Sequence, residues 1–156
     1  MRKSHRSFFL LILLLLPLGC DPLMVFDSYD SMDDGLWGWK DVPVFEVEME
    51  DSLALYDIYL QVRHSTDYPL SNLFMFVNLK GPSGQFRRDT LNLILAAPDG
   101  RWYGSGNGSL REMHLLYRSG IRFAEPGTYS FSIEQAMRHE ELPVKNVGLR
   151  IEQQKQ

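Results

Sequence analysis

The stretch VPVFEVEMEDSLALYDIYLQVRH, residues 42–64, decides the fold class. In its first half Phe45, Val47 and Met49 alternate with Glu46, Glu48 and Glu50; in its second, Tyr56, Ile58, Leu60 and Val62 alternate with Asp57, Gln61 and Arg63. Successive side chains of an extended chain point to opposite faces, so a period of two puts one set on a core and the other in water. The break at Glu50-Asp51-Ser52 predicts a hairpin between two such strands.

The same period continues toward the C terminus. LFMFVNLK (73–80) sets Leu73, Met75, Val77 and Leu79 on one face and Phe74 and Phe76 on the other, which predicts cover on both sides. GPSG (81–84) is a turn, and FRRDTLNLILA (86–96) returns with Leu91, Leu93 and Leu95 in phase. PDG (98–100) opens the glycine-rich run RWYGSGNGS. Met113, Leu115 and Tyr117 then share a phase, IRF (121–123) follows, EPG (125–127) turns the chain, and TYSFSI (128–133) alternates again. EQAMRHEEL (134–142) is the one predicted helix, about two turns long, and VGLRIE (147–152) is a last strand. Seven or eight strands punctuated by turns predict an all-β fold, a single antiparallel β-sandwich, jelly-roll-like or Ig-like, over residues 42–153. Residues 154–156 are left as a tail.

Toward the N terminus the pattern stops. Residues 21–41 hold Asp27, Asp30, Asp33, Asp34 and Asp41 without a sustained period, which reads as an acidic tether over 20–41. Trp37 and Trp39, separated by Gly38, are too apolar for a free linker and predict that this segment packs onto the domain. Further upstream, Arg2, Lys3 and Arg6 precede nine apolar residues from Phe8 to Leu16, the layout of a secretory signal. A spanning helix needs about 20 apolar residues, so this run is too short to stay in the membrane. Gly19 immediately before Cys20 fits a lipoprotein signal over 1–19, although Pro17 stands where the usual consensus has leucine. In such a signal the thiol takes a diacylglycerol, the chain is cut before the cysteine, and the new amino group takes an acyl chain such as palmitate.

An acylated Cys20 also accounts for the lone cysteine: the mature chain has no free thiol and no disulfide, and its core alone must hold it together. An apolar share of 44% over a 137-residue mature chain supplies such a core. The signal carries three of the 16 basic residues and none of the 20 acidic ones, so the mature charge is −7, which argues against nucleic acid.

No catalytic constellation emerges. Counting an EF-hand loop from Asp30 places Met32 at the third position and Asp41 at the twelfth, so two ligands fail. His64, His114 and His139 stand without metal-binding spacing, and no metal or cofactor is expected. In GSGNGS (104–109) neither the phosphate loop nor the nucleophile elbow has its strand-to-helix context, leaving a mobile loop. Large aromatics are the remaining signal: Trp102 and Tyr103 flank that loop, and Trp37 and Trp39 add to the set. Such residues either close a sandwich end or stack on a sugar or protein partner.

Taken in order, Cys20 with its signal, VFDSY (25–29), the segment near Trp39, YPLSNLFMFV (68–77), DTLNLILAAPDGRWYGSG (89–106), GTYSFSIEQAMR (127–138) and VGLRIE resemble the GldH gliding-motility lipoprotein family of the Bacteroidetes. The resemblance covers nearly the whole chain and is less clear over GNGSLREMHLLYRSG. It implies a non-enzymatic envelope lipoprotein, lipidated at Cys20 and working with gliding-motility and type IX secretion proteins; the periplasmic face of the outer membrane is the expected location. A glycan- or peptide-binding surface module is the alternative. Asp99, Gly100, Trp102, Tyr103, Gly104 and Gly106 form the expected partner surface, with Trp37, Trp39 and Arg138 as further members. Asp30-Ser31-Met32 and Asp51-Ser52-Leu53 resemble an O-glycosylation signal of exported Bacteroidetes proteins, making Ser31 and Ser52 candidate acceptors.

Overall fold

A computed structural model describes residues 23–155; the signal and Cys20 lie outside the described residues. Ten strands follow one another: β1 (Met24–Ser31), β2 (Trp37–Gly38), β3 (Val44–Met49), β4 (Tyr56–Ser65), β5 (Asn72–Lys80), β6 (Phe86–Ile94), β7 (Leu110–Ile121), β8 (Gly127–Gln135), β9 (Glu141–Leu142) and β10 (Val144–Gln153). Eight of them build two antiparallel sheets, ordered β1-β10-β4-β7 and β3-β8-β5-β6, while β2 and β9 form a small ribbon. The pairings β1 with β10, β3 with β8, β4 with β7 and β5 with β6 are nested, as if one long hairpin had been rolled up. That nesting is the jelly-roll arrangement.

The alternation seen in the sequence produces the core. Phe45, Val47 and Met49 of β3 are buried while Glu46 and Glu48 face water, where they accept hydrogen bonds from Ser130 (2.7 Å) and Thr128 (2.6 Å) on β8. Ile58 and Leu60 on β4 and Leu149 and Ile151 on β10 meet Leu73, Met75, Phe131 and Ile133 of the other sheet in one cluster. On the outer face of β5, Phe76 is half-buried beneath the Arg88 guanidinium, 4.0 Å from its ring centre.

Three sequence-based expectations change. The first concerns residues 134–142, which are not helical. Gln135 continues the inward phase of Tyr129, Phe131 and Ile133, and the chain then turns into β9 so that Leu142 is fully buried. An isolated two-turn helix is only marginally stable in water, and this segment has better use for its backbone in pairing. Second, the predicted tether contributes β1, an edge strand paired along β10. Only the following stretch is irregular, with a 3-10 turn at Asp33–Gly35. The third change is at residues 50–55, which make no hairpin, because β3 and β4 belong to different sheets. Asp51 fixes this crossing: its side chain accepts from Leu53 N (2.8 Å) and its carbonyl from the Tyr56 hydroxyl (2.8 Å).

Tyr29 fastens the edge strand β1. Its ring reaches across β10 at Gly148, where any Cβ would lie 2.8 Å from the tyrosine ring, and its hydroxyl donates to Glu112 of β7 at 2.5 Å. Arg63 lies 4.2 Å from the Tyr29 ring centre and donates to the same carboxylate at 3.2 Å. One side chain therefore links all four strands of its sheet.

On the far side of the sandwich, β6 and β7 belong to different sheets and are joined by side chains. Asp89 of β6 accepts from the Tyr117 hydroxyl, from Arg118 (2.7 Å) and from Arg87 (3.0 Å). Burial pushes the Asp89 carboxyl upward, but these donors outweigh it and hold the group down at about 2. A depressed carboxyl contributes stability above its unfolded pKa and loses it as pH falls through the folded value. We therefore expect the advantage of wild type over Asp89→Asn to shrink by about 2 kcal/mol between pH 4 and pH 2. Denaturant titrations at several pH values measure this, and a constant difference would show that the cluster contributes nothing.

All strand directions agree on two ends. Residues 50–55, 81–85 and 122–126 turn at the end where β1 begins, which we call the anchor end. Residues 32–43, 66–71, 95–109 and 136–143 gather at the other. The longer strands, up to twelve residues in one sheet and nine in the other, separate the ends by about 30 Å.

Candidate functional site

The loop end carries every candidate partner residue, in two patches. In the first, β6 continues beyond Ile94 and returns on itself. Ala97 N donates to Arg101 O (2.9 Å), Gly100 N to Ala97 O (2.9 Å), and the Asp99 carboxylate accepts from Arg101 N (3.1 Å). This is a tight reversal with glycine at the left-handed position, which PDG encodes. Tyr103 N then donates to Leu95 O (2.8 Å), and Ser105 exchanges backbone hydrogen bonds with Glu112 of β7. Gly104 permits that exchange: at φ 82° its absent Cβ would stand 2.3 Å from the Glu112 carbonyl oxygen. Gly106 lies equally close to the Leu110 carbonyl. The glycine run read as a mobile loop is thus stitched to β7.

Trp102 and Tyr103 point to different environments. Trp102 is half-buried and packs on the core, 4.9 Å from the ring of the fully buried His64. Burial pushes the His64 imidazole down, which keeps it neutral, and its Nδ1 lies 2.9 Å from the Ser65 carbonyl. Tyr103 is 43% exposed and is the aromatic surface of this patch.

The second patch brings Trp39 and Arg138 together. Trp39 is 57% exposed, with Lys40 Nζ 5.1 Å from its ring centre, and borders a shallow depression of about 370 Å³ shared with Met137, Arg138 and Glu140. Gln135 organises that wall: its buried side chain donates to His139 O (2.8 Å) and accepts from Met137 N (3.0 Å). Sequence reasoning missed Gln135 because its phase with Ile133 was hidden by assigning the segment to a helix. Trp37 has the opposite fate to Trp39, fully buried with its indole N–H on the Asp41 carbonyl (2.8 Å).

The two candidate glycosylation sites lie at opposite ends. Ser31 is exposed at the loop end and accepts from Asn146 (2.9 Å), whereas Ser52 is half-buried in the anchor-end crossing. Among the described residues no three His, Cys, Asp or Glu side chains are grouped to hold a metal ion, and no helix is long and apolar enough to cross a membrane.

Fold and loop end together define a jelly-roll domain that carries the exposed Trp39 and Tyr103 on loops at the end away from the start of β1. Comparison with known proteins identifies the family. The model for the GldH lipoprotein matches residues 24–151. The chain is 35% identical to a gliding motility lipoprotein GldH homolog of Christiangramia forsetii, over 97% of this chain and 98% of that one. To the gliding motility lipoprotein GldH of Flavobacterium johnsoniae it is 34% identical, again over 97% and 98%. The chain belongs to the GldH lipoprotein family. No solved structure matches it.

Proposed function

We propose that this chain is a non-enzymatic scaffold or assembly lipoprotein of the gliding-motility machinery, linked to type IX secretion. Acylated Cys20 holds it at the periplasmic face of the outer membrane, and the loop end recognises another envelope protein. One observation carries the reading: the chain enters the sandwich at the end opposite the loops. Cys20 stands four positions before Met24, a reach of about 14 Å at most, so anchoring there directs Trp39, Arg138 and Tyr103 away from the bilayer. Exposed aromatics beside a cation and fixed loops offer a partner large contact area at little entropic cost. Ser31, exposed at the same end, is the better placed acceptor for a glycan.

The Trp39 depression supports a second reading, a glycan- or peptide-binding module, because an exposed indole flanked by Arg138 and Glu140 suits stacking on a sugar with hydrogen bonds at its rim. Pull-down of envelope extracts by the purified lipoprotein, run against a glycan array, separates the two. A discrete envelope protein lost with Trp39→Ala is expected; array binding without such a protein would establish the second reading instead.

A further inference from the structure

Where β6 and β7 run side by side without backbone pairing, the sandwich opens at its anchor end into a cleft of about 320 Å³. Both sheets wall it: Leu79 and Phe86 come from one, Ile121 from the other, and Phe123 from the loop that follows. Arg87, Arg118 and Arg122 stand around this apolar interior, and no described carboxylate lines it. The acids nearby are engaged: Asp89 with Tyr117, Arg118 and Arg87, Glu125 with Ser83 (2.5 Å) and Gln85 (3.3 Å), Asp57 with Gly120 N (3.0 Å) and Gln154 (2.7 Å), and Asp51 with Leu53 N (2.8 Å). Arg122 donates from Nε to the Leu53 carbonyl at 3.1 Å and has no carboxylate partner among the described residues. A chain whose mature charge is −7 thus gathers three arginines at one apolar opening.

We propose that this cleft holds one acyl chain of an anionic membrane lipid, with the head group bound by Arg122 and Arg87. The volume, at the small end for ligand sites, suits a single chain. Each methylene buried contributes about 0.8 kcal/mol, and the planar guanidinium matches a phosphate with two parallel hydrogen bonds. The membrane is the source because β1 starts at this end and the link to Cys20 is short. Leu53, 80% exposed, and Phe86, 66% exposed, lie at the same end, where they meet the interface. The inference rests on anchoring through Cys20 and is independent of the partner surface at the loop end.

The test uses the full lipoprotein in phosphatidylcholine vesicles doped with photoactivatable phosphatidylglycerol or, in parallel, photoactivatable phosphatidylcholine. After irradiation, labelled peptides are mapped by mass spectrometry. Label is expected around Phe86 and Ile121–Phe123, at least fivefold stronger from the anionic lipid. Leu79→Trp, which fills the interior, is expected to remove it. Arg122→Gln, at an exposed position, is expected to make the two lipids equal while leaving the fold intact. Equal labelling by both lipids in wild type, indifference to Arg122→Gln, or label confined to residues 50–55 overturns the proposal. Vesicle flotation reads anchoring separately: protein that floats but leaves the cleft unlabelled overturns the cleft alone, and protein that does not float removes both the anchor and the membrane source.

Discussion

Trp37→Ala is expected to cost about 3–5 kcal/mol, the range for deleting a fully buried indole, because it leaves a cavity and orphans the Asp41 carbonyl that the indole N–H satisfies. Trp39→Ala, two residues away, is expected to stay within about 0.5 kcal/mol of wild type, since its ring is mostly in water. Denaturant midpoints of the two variants measure the contrast. Similar losses from both would mean that the WGW segment is packed differently from the arrangement described, and with it the β2–β9 ribbon that Trp37 begins.

Cys20→Ser is expected to abolish membrane retention while the β-sheet spectrum stays that of wild type. Two or three acyl chains on one residue, at about 0.8 kcal/mol per buried methylene, anchor durably where a single chain holds only marginally. The first described strand, β1, begins four positions later and pairs through its own backbone with β10. Membrane fractionation decides it. A variant that stays with the membrane would place the anchor elsewhere, and an altered spectrum would make Cys20 part of the fold.

Strands with one buried and one wet face were plain in the sequence. Phe45, Val47 and Met49, and again Tyr129, Phe131 and Ile133, alternate in the sequence as they do in the structure. Pairing was hidden, because a jelly roll joins strands far apart in the chain, such as β1 with β10, and no local pattern records which strand will be the neighbour. The same reason defeated the hairpin at residues 50–55: the sequence marks a reversal there, but the sheets divide at it. β1 escaped notice because an edge strand needs little apolar surface, and Asp27 and Asp30 suit it as well as they suit a tether.

The loop end was legible in composition and not in geometry. PDG and the aromatics of RWY announced a structured turn, yet Trp102 turns inward onto His64 while Tyr103 remains outside, a difference set by a strand, β4, some forty residues earlier. Trp37 and Trp39 divide in the same way through pairing with β9. The arginine-rimmed cleft had no sequence signal at all. Arg87, Arg118 and Arg122 lie on two edge strands and a loop, and only the rolled topology brings them together.

In the function proposed here the chain is held at one end and recognises a partner at the other. The most direct measurement is the double variant Trp39→Ala with Tyr103→Ala, expressed at the native level in a gliding host and followed by motility, type IX export and the melting temperature of the purified protein. Loss of motility or export is expected, with a melting temperature within a few degrees of wild type, because both side chains are exposed and neither supports the core. Wild-type motility and export from this stable, membrane-bound variant would contradict it.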